Sequence, residues 1–192
     1  YIGGWKTVLV GTTGAGGKGI FALDISNTSF SASDVLWEIN SSNETELGYT
    51  IGNPQVGKAP NGDWVAVFGN GYGSASQKAM LFIVNLANGA VTKINTNVGS
   101  SVSPNGLSTP RLVIDSNSMI QAAYAGDLQG NLWKFDFAAG GTTVAFSGSS
   151  LFQADPVNKK QPITTQPDLY PHPAGGFIVT FGTGKLFETG DS

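Results

Sequence analysis

The chain has 192 residues, enough for one ordinary domain or a large piece of a bigger one; its 27 glycines and 12% charged residues suit short strands joined by turns and leave too few Glu, Lys and Arg for long solvated helices. Ten Lys and Arg against thirteen Asp and Glu give a net charge of -3 with no basic cluster, which argues against nucleic acid, and the lack of Cys removes disulfides, thiolate nucleophiles and Cys-bound zinc. No apolar run approaches the roughly 18 residues of a membrane span, and a start at Tyr1 instead of Met leads us to expect an internal segment whose targeting signal lies elsewhere.

In chain order, TVLVG closes at Gly11 and predicts a strand; the run Thr13 to Gly19 is a turn, and GIFALD, ending at Asp24, and VLWEI follow as strands. The same order then recurs. GNPQV at Pro54 is followed by VAVFG closing at Gly69, LFIVNL with Asn85, and AVTKI. STPRL at Pro110 is followed by AAYAG closing at Gly126, NLWKFD ending at Asp136, and TVAFS, and TQPDL at Pro167 by IVTFG closing at Gly182. The four Gly stand 58, 57 and 56 residues apart, and the three Pro 56 and 57.

Each unit therefore predicts four short strands, the first opened by Pro, where no ladder donor is lost. Four strands repeating at this length predict an all-β fold, a β-propeller whose blades are units 1–48, 49–104, 105–160 and 161–192 of one domain. A β-sandwich also has evenly spaced short strands but no reason to repeat its sequence at a fixed period. The first unit lacks its Pro-bearing strand and the last stops after LFETGDS. Three to four blades are expected, an arc of a larger ring.

The most specific text is NGLSTPRLV at 105–113 and YAGDLQGNLWKFD at 124–136. With WKTVLVGTTGAGGKGIFALD at 5–24, VFGNGYGS at 67–74 and FGTGKLFE at 181–188, it resembles, in order along most of the chain, the PilC/PilY family of type IV pilus biogenesis factors and pilus-tip adhesins. The resemblance implies a C-terminal β-propeller that supports pilus biogenesis and adhesion, on the cell surface, at the pilus (fimbrium) and associated with the outer membrane. Partners would be proteins, minor pilins at the fibre tip, and any host or surface ligand would be met by regions outside this chain.

The family also implies a calcium loop of the form Asp-x-Asp-x-Asp-Gly-x-x-Asp, because a hard cation needs six to eight oxygens converging from one turn. The corresponding stretch here runs from Asp115 to Gln121. Asp115 and Asn117 fit the first and third positions, but Met119 replaces an oxygen ligand, the Gly is missing, Gln121 replaces the last carboxylate, and the loop is about two residues shorter. No calcium is expected at this loop, which brings calcium control of pilus extension and retraction into question for this chain.

Other tempting residues have plainer readings. Asp127 in AGDLQG reads as a turn carboxylate capping backbone N–H groups, not as a ligand. His172, the one His, lies between prolines in a loop and has no second His to pair with. Lys18 is followed by Gly19 and a strand, whereas a phosphate loop needs Ser or Thr and a helix there. Trp5, Trp37, Trp64 and Trp133 read as packing residues, and the Asn-x-Ser/Thr triplets at Asn27, Asn40 and Asn43 carry meaning only in a glycosylating host. No catalytic, cofactor-binding or metal residue is assigned.

The reading is thus a non-enzymatic binding and assembly module. The alternatives are a quinoprotein (PQQ) dehydrogenase propeller, whose Gly-x-Leu-x-Ala-Leu-Asp blade motif GDLQGNLWKFD also resembles, and a scaffold propeller of unknown partner. Several quinoproteins use a vicinal Cys pair, which this chain lacks.

Overall fold

The computed structural model describes residues 4–155, 159–186 and 191, and its strands all pair antiparallel in four sheets. The first sheet is β1 (Val8–Thr12), β2 (Gly19–Asp24) and β3 (Val35–Asn40). The second is β4 (Gln55–Lys58), β5 (Trp64–Gly69), β6 (Met80–Asn85) and β7 (Val91–Asn95). The third holds β8 (Arg111–Ile114), β9 (Ile120–Gly126), β10 (Asn131–Ala138), β11 (Gly141–Val144) and β12 (Phe152–Gln153); the fourth is the hairpin β13 (Asp168–Pro171) and β14 (Phe177–Thr180). Within each sheet the strands follow chain order, as propeller blades do, except that β12 pairs with β10 instead of β11.

Pro54, Pro110 and Pro167 sit directly before β4, β8 and β13, and each of these strands lies at a sheet edge. There a missing N–H costs no ladder bond. The expected fourth strand TVAFS is shorter in fact: β11 stops at Val144, and Ala145–Gly148 form a helical turn in which Phe146 and Ser147 take left-handed conformations (φ 52° and 55°). The chain leaves the ladder there, and β12 returns to pair Phe152 with Leu132 on β10. Likewise β14 ends at Thr180, short of Gly182. The last two residues of FGTGKLFE, 187 and 188, lie outside the described residues.

The core is made where sheets stack face to face. Val65, Val67, Leu81 and Ile83 of the second sheet point toward Ala123, Ala125, Trp133 and Phe135 of the third. Their sequence neighbours Ala66, Phe68, Phe82 and Val84 point the other way, toward Ile20, Ala22, Trp37 and Ile39 of the first. A strand buried on both faces has no polar side to alternate with, which is why VAVFG and LFIVNL are continuous apolar runs. On the third sheet Ala125 pairs with Trp133 and Ala123 with Phe135, small against large, so neighbouring strands share one layer. Leu132, Ala154 and Ile163 form a smaller cluster with Val179 and Phe181 under the fourth sheet.

The expectation that all four tryptophans pack between blades holds for two. Trp37 and Trp133 are buried, and both indole N–H groups are satisfied, by the Leu86 carbonyl (3.2 Å) and by Asp127 (2.8 Å). Trp64, on the first residue of β5, is 38% exposed and Trp5 is fully exposed. Both lie before the stretch of their strand that a neighbouring sheet covers.

Candidate functional site: the long-loop face

Antiparallel order sends the chain out of the sheets at two opposite edges. One edge carries the β2–β3 connection at 25–34 and short turns at 59–63, 86–90, 115–119, 139–140 and 172–176. The other carries the connections at 13–18, 41–54, 70–79, 96–110 and 127–130, and the described stretches 145–151, 154–155 and 159–167, most of them long. The buried polar and charged side chains among the described residues are Thr50, Asn70, Ser74, Thr96, Asn105, Ser108, Asp127, Gln129 and Asn131, and every one lies at this second edge. Eight of these nine side chains are hydrogen-bonded, the buried Ser74 Oγ being the one without a partner, so the long loops are fixed largely by their own interior.

Two residues at equivalent places organise this face. Asn70 and Asp127 each follow the Gly that ends the second strand of a unit, and both are fully buried. Asn70 uses both halves of its amide: Nδ2 donates to the Glu46 and Lys78 carbonyls (3.1 and 2.9 Å), and Oδ1 accepts from the Met80 and Leu107 N–H groups (3.0 and 3.1 Å). Asp127 only accepts. Its Oδ1 takes the backbone N–H groups of Gln129 and Asn131 (2.9 Å each), as the turn reading expected. Its Oδ2 takes Asn105 Nδ2 (2.8 Å), Asn131 Nδ2 (2.9 Å) and Trp133 Nε1 (2.8 Å).

Each long connector also crosses a neighbouring corner through backbone bonds. Gly48 and Tyr49 donate to the carbonyls of Asn70 and Tyr72 (2.7 Å each). Leu107 accepts from Gly71 (3.1 Å), Leu128 donates to Gly106 (3.3 Å), and Ile163 donates to Asp127 (2.9 Å). The Gly at the strand ends follows from these crossings: a Cβ on Gly69 would land on the Leu107 and Ser108 carbonyls, and one on Gly126 on Ile163. Side chains add ties between units, with Thr50 Oγ1 on the Gly19 carbonyl (2.9 Å) and Ser76 Oγ on Glu46 (2.5 Å), while Lys160 Nζ on Gln129 Oε1 (2.8 Å) ties the third unit's last connector to its own corner. Lys18, in the Gly-rich turn, donates to the Gly73 carbonyl and lies over the Tyr49 ring at 5.1 Å. It ties two units together in the way a turn residue can and a phosphate-loop lysine would not.

Burial, and secondarily the Asp127 charge, push the Tyr72 phenol far above its ordinary value, and burial raises Tyr124. His172 and the Asp115 turn lie apart from this face, whereas Asn40 and Asn43 open its 41–54 connection. His172 closes the β13–β14 turn, its Nδ1 accepting from Ala174 N–H (3.1 Å). Asp115, Asn117 and Met119 form the β8–β9 turn on the opposite edge. Asn70, Asn105 and Asn131 drew no attention in the sequence, although Asn70 falls 57 residues before Asp127 in the same motif position.

Stacked, chain-ordered antiparallel sheets with interlocked connectors define an arc of a β-propeller. The chain belongs to the family of the PilY1 beta-propeller domain, whose model matches residues 1–192. It is 44% identical, over 99% of its length, to the type IV pilus biogenesis factor PilY1 of Pseudomonas aeruginosa PAO1, of which it covers 18%. It is 39% identical, over 99% of its length, to a PilY1 homolog of Xylella fastidiosa Temecula1, of which it covers 14%. The crystal structure of the Pseudomonas aeruginosa PilY1 C-terminal domain superimposes with a TM-score of 0.88 at 42% identity, covering 97% of this chain and 42% of that one. These matches favour the PilC/PilY resemblance over the quinoprotein one.

Proposed function

We propose that the chain is a non-enzymatic docking module within a pilus-associated surface protein, and that its long-loop face receives minor pilins at the fibre tip. The observation that carries this reading is the gathering of the buried polar side chains under one face. Rigid loops meet a partner without an ordering cost on binding, which is what an assembly surface needs. The names of the relatives, type IV pilus biogenesis factors, supply the process. The units 1–48, 49–104, 105–160 and 161–192 act as one rigid piece, and the surface and outer-membrane location belongs to the same proposal.

The test is electron microscopy of cells lacking the gene, with surface pili counted, and of the same strain with the retraction motor also removed. Loss of pili that return when retraction is blocked supports an assembly role. Unchanged pilus number and length ends this reading.

A further inference from the structure

We propose that the β8–β9 turn is a metal-independent clasp, in which hydrogen bonds made by Asp115 do what a bound cation would otherwise do. Asp115 Oδ1 accepts the backbone N–H groups of Asn117 (2.8 Å) and Met119 (2.9 Å), and Gln121 Nε2 lies 3.4 Å from Oδ2. The backbone closes on itself as well: Asp115 N–H donates to the Met119 carbonyl (3.0 Å) and Ser118 N–H to the Asp115 carbonyl (3.1 Å). Ser118 supplies the left-handed residue of the turn, at φ 63°.

A calcium ion takes six to eight oxygens at about 2.3–2.6 Å. This turn offers one carboxylate, whose Oδ1 already holds two N–H groups, and among the described residues no group of three or more His, Cys, Asp or Glu is placed to hold a metal. The Ser118 carbonyl is committed too. It accepts the Lys58 N–H (2.9 Å), and Lys58 bridges Met119, so the turn is pinned to the end of β4 in the neighbouring sheet. Coordination would break the turn's own bonds and its junction with that sheet. The clasp therefore keeps one shape, and keeps the second and third sheets joined at this edge, whatever the calcium concentration.

Hydrogen exchange with mass spectrometry on the purified protein, read on peptides spanning 111–126, tests this in chelator and in millimolar calcium, the range of weak extracellular sites. The wild type is expected to exchange identically in both. Asp115→Ala, which removes the accepting oxygens, is expected to speed exchange of the Asn117 and Met119 amides roughly tenfold, by the same factor in both conditions. Calcium-dependent protection of 115–119 in the wild type that Asp115→Ala abolishes would overturn the proposal, as would unchanged exchange in that variant. Neither result depends on the pilus reading.

Discussion

Asn70 and Asp127 occupy one corner of the repeat with opposite hydrogen-bonding chemistry, and this makes them poor substitutes for each other. Every group within reach of Asp127 is a donor, so Asp127→Asn turns an NH2 toward other N–H groups. Asn70→Asp does the reverse, setting a carboxylate oxygen against the Glu46 and Lys78 carbonyls. Leaving buried partners unpaired costs about 1–3 kcal/mol, and more where a charge is involved. Each exchange is expected to lower stability by at least about 2 kcal/mol, measured as the midpoint of urea unfolding, although each installs the residue found at the sister corner. The raised phenols of Tyr72 and Tyr124 make a pH prediction at the same scale. A tyrosine whose folded pKa lies above its unfolded value near 10 stabilises the fold fully below that value, and the contribution is lost as pH rises past it. Stability should fall above pH about 10, and Tyr72→Phe should flatten that fall. A phenolate absorbance that rises fully at pH near 10 in the folded protein would contradict the assignment.

At the scale of elements, the Gly-ending strands were legible as a period but not as a cause. A sequence states that Gly69 and Gly126 recur; the reason, a connector backbone lying against each, comes from contacts about 40 residues further along. Gly11 holds the same place in the motif, yet a Cβ there meets only the side-chain ring of Phe21, which can move. Gly69→Ala and Gly126→Ala are therefore expected to destabilise by roughly 2–4 kcal/mol, and Gly11→Ala by less than half as much. Thermal melts of the three variants side by side check the order. TVAFS was misread for a related reason. Its composition suits a strand, but β10 has room on that side for two short partners, and Phe146 and Ser147 turn left-handed between them. Trp64 and Trp5 misled similarly, because an aromatic signals packing only where a neighbouring sheet reaches it.

For the whole molecule, the propeller class was readable because repetition is a global property written along the chain, and the difference between its two edges was not. Both edges show Gly, Asn, Ser and Asp in the sequence, and only the structure separates short self-contained turns from loops with a buried polar interior. That difference sets the last prediction. The long-loop face presents Val102 (93% exposed) and Tyr49 (43% exposed) on a framework held by Asn105, Asp127 and the Tyr49–Tyr72 bridge. The turn face presents Asn61, Asn88 and Asn117 in hairpins that bond mainly to themselves. Exposed substitutions on either face should change stability by no more than about 0.5 kcal/mol. If the long-loop face receives a partner, Val102→Asp, which touches none of the ties between units, reduces pilus number in cells that otherwise lack the gene, at equal protein level. Asn61→Ser combined with Asn88→Ser restores pili fully. Equal effects from both faces would remove the distinction between them and the docking role assigned to the long loops. A loss confined to the long-loop variant ties pilus assembly to the one edge that the buried polar network holds rigid.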